Sequence, residues 1–578
     1  MYNIQENVKI VVSTLKSYKI RHIVVSPGGT NIPITQAVQE DPFFRCYSVV
    51  DERSAMYFAI GLYLQTGDIV ATSCTSAQAT RNYLPGLTEA FYKHIPILAI
   101  TTSKLERYAY QEYMQAPDQT SLPRDAVKQS YDLPPVTDEN TRVQCLQDVK
   151  KAILELSHHG YGPVQLNVRI TDSLNKDFSD SVLPVLRQTK RYTLWDSWDD
   201  ISLKNKKILL VIGEHIPFKE EEAMLVDAFC DRHNVVVYIN HLSNYHGKYA
   251  INANLLISSL SASAIEANFS PDIVISIGGQ TGDYPLFGLL NRPLHHAEHW
   301  RVAEDGDYID TYGKLTKIFE CPSCEFFKKM RGENEAEHTF YDLWYASNRE
   351  MKRNINVPFS NIFAAQQLAS DIPNRSYMNF AILNSLRAWS YFDIDSSIKC
   401  FSNVAAFGID GCTSTLLGES VNTDELCFLV TGDLAFFYDM NALGIRHIKN
   451  NVRILLINNG GGAEFKVMTR SWNYKPNTDP FISANGHNGS AQGWAENCGF
   501  LYMKATTKEE FLSQKGKFVA KSSSPILYEL FTKAEDEVEA MECLLSSNSV
   551  VTSGDKLKSL VKDMLGKTIT DTIKNILR

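Results

Sequence analysis

The sequence predicts an α/β protein made of three doubly wound units. Two observations indicate this class. Short apolar segments of strand length alternate with segments of helical spacing along most of the chain. The stretch 431–465, TGDLAFFYDMNALGIRHIKNNVRILLINNGGGAEF, also has the order strand, turn, helix, strand, with polar residues where each strand ends. At 578 residues, the chain is too long for one hydrophobic core, so two or three domains are expected.

The first unit is expected at residues 1–180, followed by a polar linker at 181–206. Its apolar strands are predicted at 21–26, 69–72 and 95–101, and the segment 162–168 closes it. The second unit, 207–340, opens with KILLVIG and has no GxGxxG pattern, so no dinucleotide is assigned to it. The third unit, 355–533, contains the 431–465 stretch, and residues 540–578 are expected to form a C-terminal extension with an amphipathic helix.

Composition excludes several classes of function. A formal charge of -9 without long runs of like charge disfavours nucleic-acid binding, so a small-molecule partner is expected. No apolar run reaches the 18 or so residues that a membrane helix needs, and the expected location is the cytoplasm. The eleven cysteines are scattered and are expected to be free thiols, because a single CxxC pair is weak evidence for zinc.

A metal site is predicted from two strand ends in the 431–465 stretch. Asp433 and Asn459 are 26 residues apart and follow neighbouring strands, which in a parallel sheet end at the same edge. Their carboxylate and amide oxygens, with the carbonyl of Gly461, suit a small hard cation such as Mg²⁺. The alternative is an ordinary βαβ corner, since Asp and Asn are common in turns.

The same corner is predicted to bind a diphosphate. Gly432 precedes a helix start, where the backbone amides of Leu434 and Ala435 are free to face an anion. Together with the cation, these amides indicate a site for a magnesium diphosphate group.

The spacing of these residues resembles the GD…NN signature of thiamine diphosphate (ThDP) enzymes. The flanking residues GDLAFFYDMNAL and NNGGG are most similar to the family of 2-succinyl-5-enolpyruvyl-6-hydroxy-3-cyclohexene-1-carboxylate (SEPHCHC) synthases of menaquinone biosynthesis. The resemblance spans nearly the whole chain and implies the domain order PYR (pyrimidine-binding), middle, PP (diphosphate-binding). It also implies decarboxylation of a 2-oxo acid with ThDP and Mg²⁺, and transfer of the acyl anion equivalent to an acceptor.

Two catalytic residues follow from the resemblance. Glu52, in DERSAMYFAIGL, matches the glutamate that hydrogen-bonds the pyrimidine ring and so promotes deprotonation of the thiazolium carbon. The alternative is a glutamate placed at a helix start by the helix dipole. Gln115 precedes Arg124 by nine residues and matches a glutamine that positions the 2-oxo acid. The alternative here is a surface glutamine.

Further cofactor contacts are implied by two segments. Ile409, in SNVAAFGIDG, matches the apolar wedge between the two rings of ThDP, and Gly408 would offer its carbonyl to the 4'-amine. The alternative is that Ile409 is an ordinary isoleucine buried in a strand or helix. Thr75 and Ser76 resemble the start of a helix whose hydroxyls and amides face the cofactor.

The substrate pocket departs from the family pattern. The resemblance implies that substrate is contacted by Ser26, Thr30, Gln78, Ser385 and Val404. Thr30 and Val404 stand where arginines are expected to grip substrate carboxylates. The cofactor residues therefore match the family, whereas the substrate residues do not.

The architecture of the family implies a homodimer, or a tetramer built from it, in which Glu52 and Gln115 of one subunit face Asp433 of the other. Two alternative functions stay open. One is a sister ThDP carboligase with another donor or acceptor, in surface-polysaccharide or secondary metabolism. The other is a non-catalytic binding paralogue, against which the retained Glu52 and the Asp433/Asn459 pair argue.

Overall fold

The computed structural model describes residues 2–3, 5–171, 178–179, 182–261, 264–291, 296–332, 336–467 and 478–549. The expected C-terminal extension beyond residue 549 lies outside the described residues. The chain divides into two compact units. Unit 1 comprises residues 1–196, 305–310 and 315–320, and unit 2 comprises residues 197–304, 311–314 and 321 onward. The three expected domain boundaries stay a prediction.

Unit 1 contains a six-stranded parallel sheet. Its strands are β2 (His22–Val25), β3 (Arg45–Ser48), β4 (Val70–Cys74), β5 (Ile97–Ser103), β6 (Ser130–Leu133) and β7 (Val164–Arg169), in the spatial order β3-β2-β4-β5-β7-β6. Strands β4, β5 and β7 are buried at every residue, as expected for a parallel sheet covered by helices on both faces. Two short pairs complete the unit: β1 (Tyr2–Asn3) with β8 (Phe178–Ser179), and β9 (Lys190–Thr193) with β15 (Leu315–Glu320).

The α-helices of unit 1 connect these strands. They are Glu6–Ser17, Ile32–Gln39, Glu52–Thr66, Gln78–Asn82, Leu84–Tyr92 and Glu139–Glu155. The longest, Glu139–Glu155, begins at a capping box in which Asp138 accepts a hydrogen bond from the amide of Thr141.

Unit 2 contains two sets of parallel strands. The first is β10 (Lys207–Ile212), β11 (Asn234–Ile239), β12 (Ala250–Asn252), β13 (Ile273–Ile277) and β14 (Glu298–Val302), in the order β12-β11-β10-β13-β14. The second is β16 (Tyr377–Phe380), β17 (Lys399–Ser402), β18 (Cys427–Gly432), β19 (Val452–Asn458), β20 (Leu501–Ala505) and β21 (Ile526–Phe531), in the order β17-β16-β18-β19-β21-β20.

The α-helices of unit 2 flank these strands. Those beside the first set are Glu220–Cys230, Asn254–Ser259, Tyr284–Leu290, Ser323–Lys329 and Thr339–Arg349. Those of the second set are Asn361–Leu368, Asn384–Ser390, Cys412–Ser420, Asp433–Tyr438, Glu464–Val467, Asp479–Ile482, Gln492–Asn497, Lys508–Val519 and Ala534–Ser546. The parallel sheets and their flanking helices confirm the predicted α/β class.

Two further findings concern the cysteines and the apolar helices. All eleven cysteines lie in the described part of the chain and are free thiols. No helix among the described residues is long and apolar enough to cross a lipid bilayer.

Candidate active site

Asp433 lies at the centre of the predicted metal corner. Strand β18 ends opposite β19, with Gly432 paired to Ile457, so the residues that follow both strands emerge at one edge. Asp433 is only 2% exposed, and its Oδ2 accepts hydrogen bonds from the backbone amides of Asn459, Gly460 and Gly461 at 3.1, 2.8 and 3.0 Å. The amide of Leu434 donates to its Oδ1 at 2.7 Å. Burial raises the pKa of Asp433, although the amides of Leu434, Gly461 and Gly460 and the nearby His487 oppose the shift.

Asn459 provides the second oxygen of this corner. Its Oδ1 is buried, and no donor among the described residues reaches it. A buried acceptor left without a donor costs about 1–3 kcal/mol, which a cation bound between Asn459 and Asp433 would offset. The carbonyl of Gly461 accepts a hydrogen bond from the amide of Ala463 at 3.1 Å and keeps a second lone pair. The residues present therefore fit a divalent cation.

His487 is a member of this corner that the sequence reasoning missed. Its Nε2 lies 3.2 Å from Oδ2 of Asp433, and its Nδ1 accepts a hydrogen bond from the amide of Gly489 at 3.1 Å. Because Nδ1 is an acceptor, the ring hydrogen sits on Nε2 and points at Asp433. His487 lies in a turn-rich segment, SANGHNGS, that carries no periodic signal.

Glu529 anchors the loop that carries Asn459 and was also missed. It is fully buried on β21, and its carboxylate accepts hydrogen bonds from Asn458 Nδ2 at 2.7 Å and from the hydroxyls of Tyr502 and Ser490 at 2.7 and 2.8 Å. The amide of Ala491 adds another at 3.1 Å. Asn458 is thereby fixed at the end of β19, one residue before Asn459. In the sequence, Glu529 is a lone acid within an apolar strand and gives no motif.

The other predicted residues of unit 2 lie at the same edge of the second sheet. Ser385 follows β16 and is 6% exposed, and Val404 follows β17 and is fully buried. Gly408 and Ile409 come next, and the side chain of Ile409 is 37% exposed. An apolar side chain left accessible at this edge is consistent with the wedge role implied by the resemblance, which stays a prediction.

Glu52 lies at the start of the helix Glu52–Thr66 in unit 1. Asp51 caps this helix, because its Oδ1 accepts hydrogen bonds from the amides of Arg53 and Ser54 at 3.0 and 3.4 Å. Ser26, at the end of β2, donates a hydrogen bond to the carbonyl of Val49 at 2.9 Å and so ties that strand end to the turn before Glu52. Glu52 itself is partly exposed.

Thr30, Thr75 and Ser76 form a hydroxyl cluster in unit 1. The hydroxyl of Thr30 lies 2.8 Å from that of Thr75 and 2.9 Å from that of Thr102, and it accepts a hydrogen bond from the amide of Ser76 at 3.2 Å. The hydroxyl of Ser76 is buried and has no partner among the described residues. The contacts of Thr75 and Ser76 with the cofactor stay a prediction.

The glutamines of unit 1 differ in burial. Gln78 is exposed at the first turn of the helix Gln78–Asn82, and Gln115 is exposed with a left-handed backbone, φ 55°. Gln119 is buried instead: its Oε1 accepts a hydrogen bond from the amide of Ala77 at 2.9 Å, and its Nε2 donates to Asn167 at 3.0 Å. Gln119 supports the turn that carries Ser76 and was missed, because sequence spacing pointed only to Gln115.

Known proteins define the class of this site. The family model "Thiamine pyrophosphate enzyme, N-terminal TPP binding domain" matches residues 6–122, which include Glu52 and the hydroxyl cluster. Three curated relatives carry the name 2-succinyl-5-enolpyruvyl-6-hydroxy-3-cyclohexene-1-carboxylate synthase. The protein from Phocaeicola vulgatus is 32% identical over 550 residues, covering 93% of this chain and 97% of its own. The protein from Bacteroides thetaiotaomicron is 30% identical and covers 94% of this chain and 98% of its own length. The protein from Flavobacterium psychrophilum is 31% identical and covers 89% of this chain and 93% of its own length.

These matches make the protein an enzyme that uses thiamine diphosphate, a class in which Mg²⁺ is the usual partner. Within that class, the chain belongs to the family that contains the SEPHCHC synthases.

Proposed function

We propose that the protein is a ThDP- and Mg²⁺-dependent carboligase that decarboxylates a 2-oxo acid and transfers the remaining acyl unit to an acceptor. The observation that carries this proposal is the pairing of buried Asp433 with the unpartnered Oδ1 of Asn459 at one sheet edge. Asp433, Asn459 and the carbonyl of Gly461 would hold the cation. The amides of Leu434 and Ala435, after Gly432, would face the diphosphate, which requires the amide of Leu434 to leave Oδ1 of Asp433, its acceptor at 2.7 Å in this structure.

The remaining residues have proposed roles around this centre. When bound, ThDP supplies a nucleophilic carbon that makes decarboxylation possible. Glu52 would hold the proton at the pyrimidine ring, and Gln115 would orient the 2-oxo acid. Ile409 and Gly408 would fix the bend of the cofactor, and Thr75 and Ser76 would contact it. The substrates would be contacted by Ser26, Thr30, Gln78, Ser385 and Val404.

We further propose that the active form is a homodimer, or a tetramer of such dimers, in which Glu52 of one subunit faces Asp433 of the other. Apolar side chains around Glu52 support this, since Val50, Tyr57 and Leu64 are 73%, 47% and 66% exposed. Aromatic and aliphatic groups left exposed on one helix and on the turn before it are typical of a subunit interface. The domains would be PYR at 1–180, middle at 207–340 and PP at 355–533.

The test is CO₂ release by the purified protein across a panel of 2-oxo acids, each with and without ThDP, Mg²⁺ and isochorismate. Release that requires both ThDP and Mg²⁺ is expected for at least one acid. Release from 2-oxoglutarate that depends on isochorismate would establish the activity named for the relatives. If no acid is turned over under any condition, the proposed reaction is wrong.

A second candidate is a carboligase of the same family with a different donor or acceptor. It is favoured by the two positions where the family pattern expects arginine. Thr30 is hydrogen-bonded within the hydroxyl cluster, and Val404 is fully buried, so neither offers a charge to a substrate carboxylate.

A further inference from the structure

Two adjacent histidines of unit 1 lie beside the end of strand β15. His158 and His159 follow the helix Glu139–Glu155, and Glu320 is the last residue of β15. Nε2 of His159 lies 3.4 Å from Oε1 of Glu320. With a ring nitrogen of His158, these atoms form a group of three possible metal ligands that all lie within 4.8 Å of one another. The group belongs to unit 1, whereas the Asp433 corner belongs to unit 2.

The spacing of these three atoms suits a single metal ion. Bonds from zinc to histidine nitrogen and to carboxylate oxygen are about 2.0–2.2 Å long, so two ligand atoms of a tetrahedral site lie about 3.4 Å apart. The distance between His159 and Glu320 already has this value. The side chain of His159 is 63% exposed, so its ring is free to turn toward His158. The group can therefore close around an ion without a change in the fold.

The ring of His158 is buried and faces an acceptor at each nitrogen. Its Nδ1 lies 3.2 Å from Oε2 of Glu155, and its Nε2 lies 2.9 Å from the carbonyl oxygen of Asp305. A neutral histidine can donate to only one of these oxygens, so the other nitrogen needs either a second proton or a metal ion. Whichever nitrogen binds an ion, the other is held by an oxygen acceptor, which is the usual arrangement of metal-binding histidines.

The charges around the group favour a particular kind of ion. Oε2 of Glu320 lies 3.7 Å from Nε of Arg191, and Oε1 of Glu155 lies 3.4 Å from Nζ of Lys128. Each carboxylate therefore meets a cation through one oxygen and a histidine through the other. Because these cations offset the carboxylates, little charge is left to attract Mg²⁺ or Ca²⁺, which also prefer oxygen ligands. Imidazole nitrogens favour Zn²⁺ and related transition-metal ions instead.

A cavity of about 590 Å³ gives access to the group from solvent. Its lining includes His159, Glu320, Tyr161 and Trp195. An ion can enter through this cavity, and water can fill the coordination positions that the protein leaves open.

We propose that His158, His159 and Glu320 form a site for Zn²⁺ or a related transition-metal ion, separate from the Asp433 corner. The ion joins the segment after the helix Glu139–Glu155 to the end of β15, two parts of unit 1 that are distant in sequence. It therefore stabilises unit 1 and takes no part in the decarboxylation. This inference does not depend on the proposed function.

The first experiment measures Zn²⁺ binding to the full chain by calorimetry, in the presence of ThDP and excess Mg²⁺. His159→Asn removes one ligand, and asparagine tolerates the left-handed backbone at this position, φ 48°. The variant is expected to bind Zn²⁺ at this site at least about tenfold more weakly than the native protein. His94→Asn is the matched control, because His94 is also exposed and left-handed, with φ 54°, and it should bind as the native protein does. Equal affinity in His159→Asn and the native protein, or no binding by either, would overturn the inference.

X-ray absorption at the zinc edge tests the ligands without any substitution. Imidazole and oxygen ligands are expected for the ion bound to the native protein. Sulfur ligands would place the ion at cysteines and would contradict the proposed site.

Thermal unfolding tests the choice of ion and its stabilising role. Zn²⁺ should raise the unfolding midpoint of the native protein more than an equal concentration of Ca²⁺, and this rise should be smaller in His159→Asn. An equal rise with both ions, or the same rise in the variant, would count against the inference.

Discussion

The two six-stranded sheets have the same strand order but carry different chemistry at their edges. In both sheets, the second strand in chain order lies at one outer edge, beside the first. At the other outer edge lies the fifth strand in chain order, and the sixth strand lies between it and the fourth. In unit 1 most of the buried polar groups around the strands are amides and hydroxyls, such as Gln165, which donates to Thr101 at 3.0 Å, and the buried Arg169 is paired with Asp132 at 2.7 Å. In unit 2 they include the carboxylates of Asp433 and Glu529, both at most 2% exposed.

The difference shows that the scaffold does not determine the ligand. Both sheets bring strand ends together at a carboxyl edge, which is where ligands bind in parallel α/β sheets. The side chains at that edge then decide what is bound. Buried carboxylates with one unpartnered amide oxygen suit a cation, whereas neutral hydroxyls suit an uncharged ring that needs hydrogen bonds. Substitutions at Glu52, Asp433 and Glu529 test this contrast, with expected effects that decrease in that order.

The largest effect is expected at Glu52, the acid of unit 1 that has a proposed catalytic role. Glu52→Gln should lower kcat about 1000-fold while leaving ThDP binding nearly unchanged, because it removes a proton relay and not a cation ligand. CO₂ release and calorimetric titration with ThDP measure the two properties. Glu139→Gln, an exposed glutamate in the first turn of another helix, is the matched control. Most of the native activity in Glu52→Gln would refute the relay.

Asp433→Asn is expected to weaken Mg²⁺ binding about 100-fold, since it removes the charge at the centre of the unit 2 corner. The dependence of activity on Mg²⁺ concentration, at saturating ThDP, gives the affinity. Asp424→Asn, whose side chain is fully exposed, serves as control. If Asp433→Asn and the native enzyme need the same Mg²⁺ concentration, the cation lies elsewhere.

Glu529→Gln should weaken Mg²⁺ binding about tenfold, because an NH2 group replaces one of the two carboxylate oxygens that accept hydrogen bonds from Asn458 and its neighbours, and the loop with Asn459 is less well fixed. High Mg²⁺ should restore kcat, which distinguishes a positioning role from a general loss of folding. Exposed Glu509→Gln is the control. Reduced kcat that Mg²⁺ cannot restore would argue against the positioning role.

The smallest effect on activity is expected at Glu537, which contributes to stability instead. It is buried and accepts hydrogen bonds from the amide of Asn361 at 3.0 Å and from the hydroxyl of Thr532 at 2.8 Å. Burial raises its pKa from 4.5 to about 7. The unfolded chain therefore loses this proton first, and folding stability falls by up to about 3 kcal/mol as the pH rises from about 4.5 to about 7.

Thermal unfolding followed by circular dichroism between pH 5 and pH 8 measures this effect. Glu537→Gln should flatten the decline in the unfolding midpoint, whereas exposed Glu539→Gln on the same helix should not. Identical pH profiles for Glu537→Gln and the native protein would show that Glu537 does not titrate in this range.

Local patterns made the α/β class and the Asp433/Asn459 corner predictable from sequence. Both depend on apolar periodicity and on polar residues that directly follow a strand. The side chains that hydrogen-bond to this corner and hold it in place were not predictable. Asn458, which holds Asn459 in place, and its partner Glu529 are 71 residues apart, so nothing in the local sequence connects them. His487 was missed for the same reason, as it reaches Asp433 across 54 residues.

The anchoring of Asn458 by Glu529 has a consequence for the order in which the metal corner forms. Asn458 ends β19 and Glu529 lies on β21, the last strand of this sheet along the chain. The loop with Asn459 is therefore fixed only after β21 has joined β19. A chain shortened before β21 should bind no Mg²⁺ at this corner, even if the earlier strands still associate.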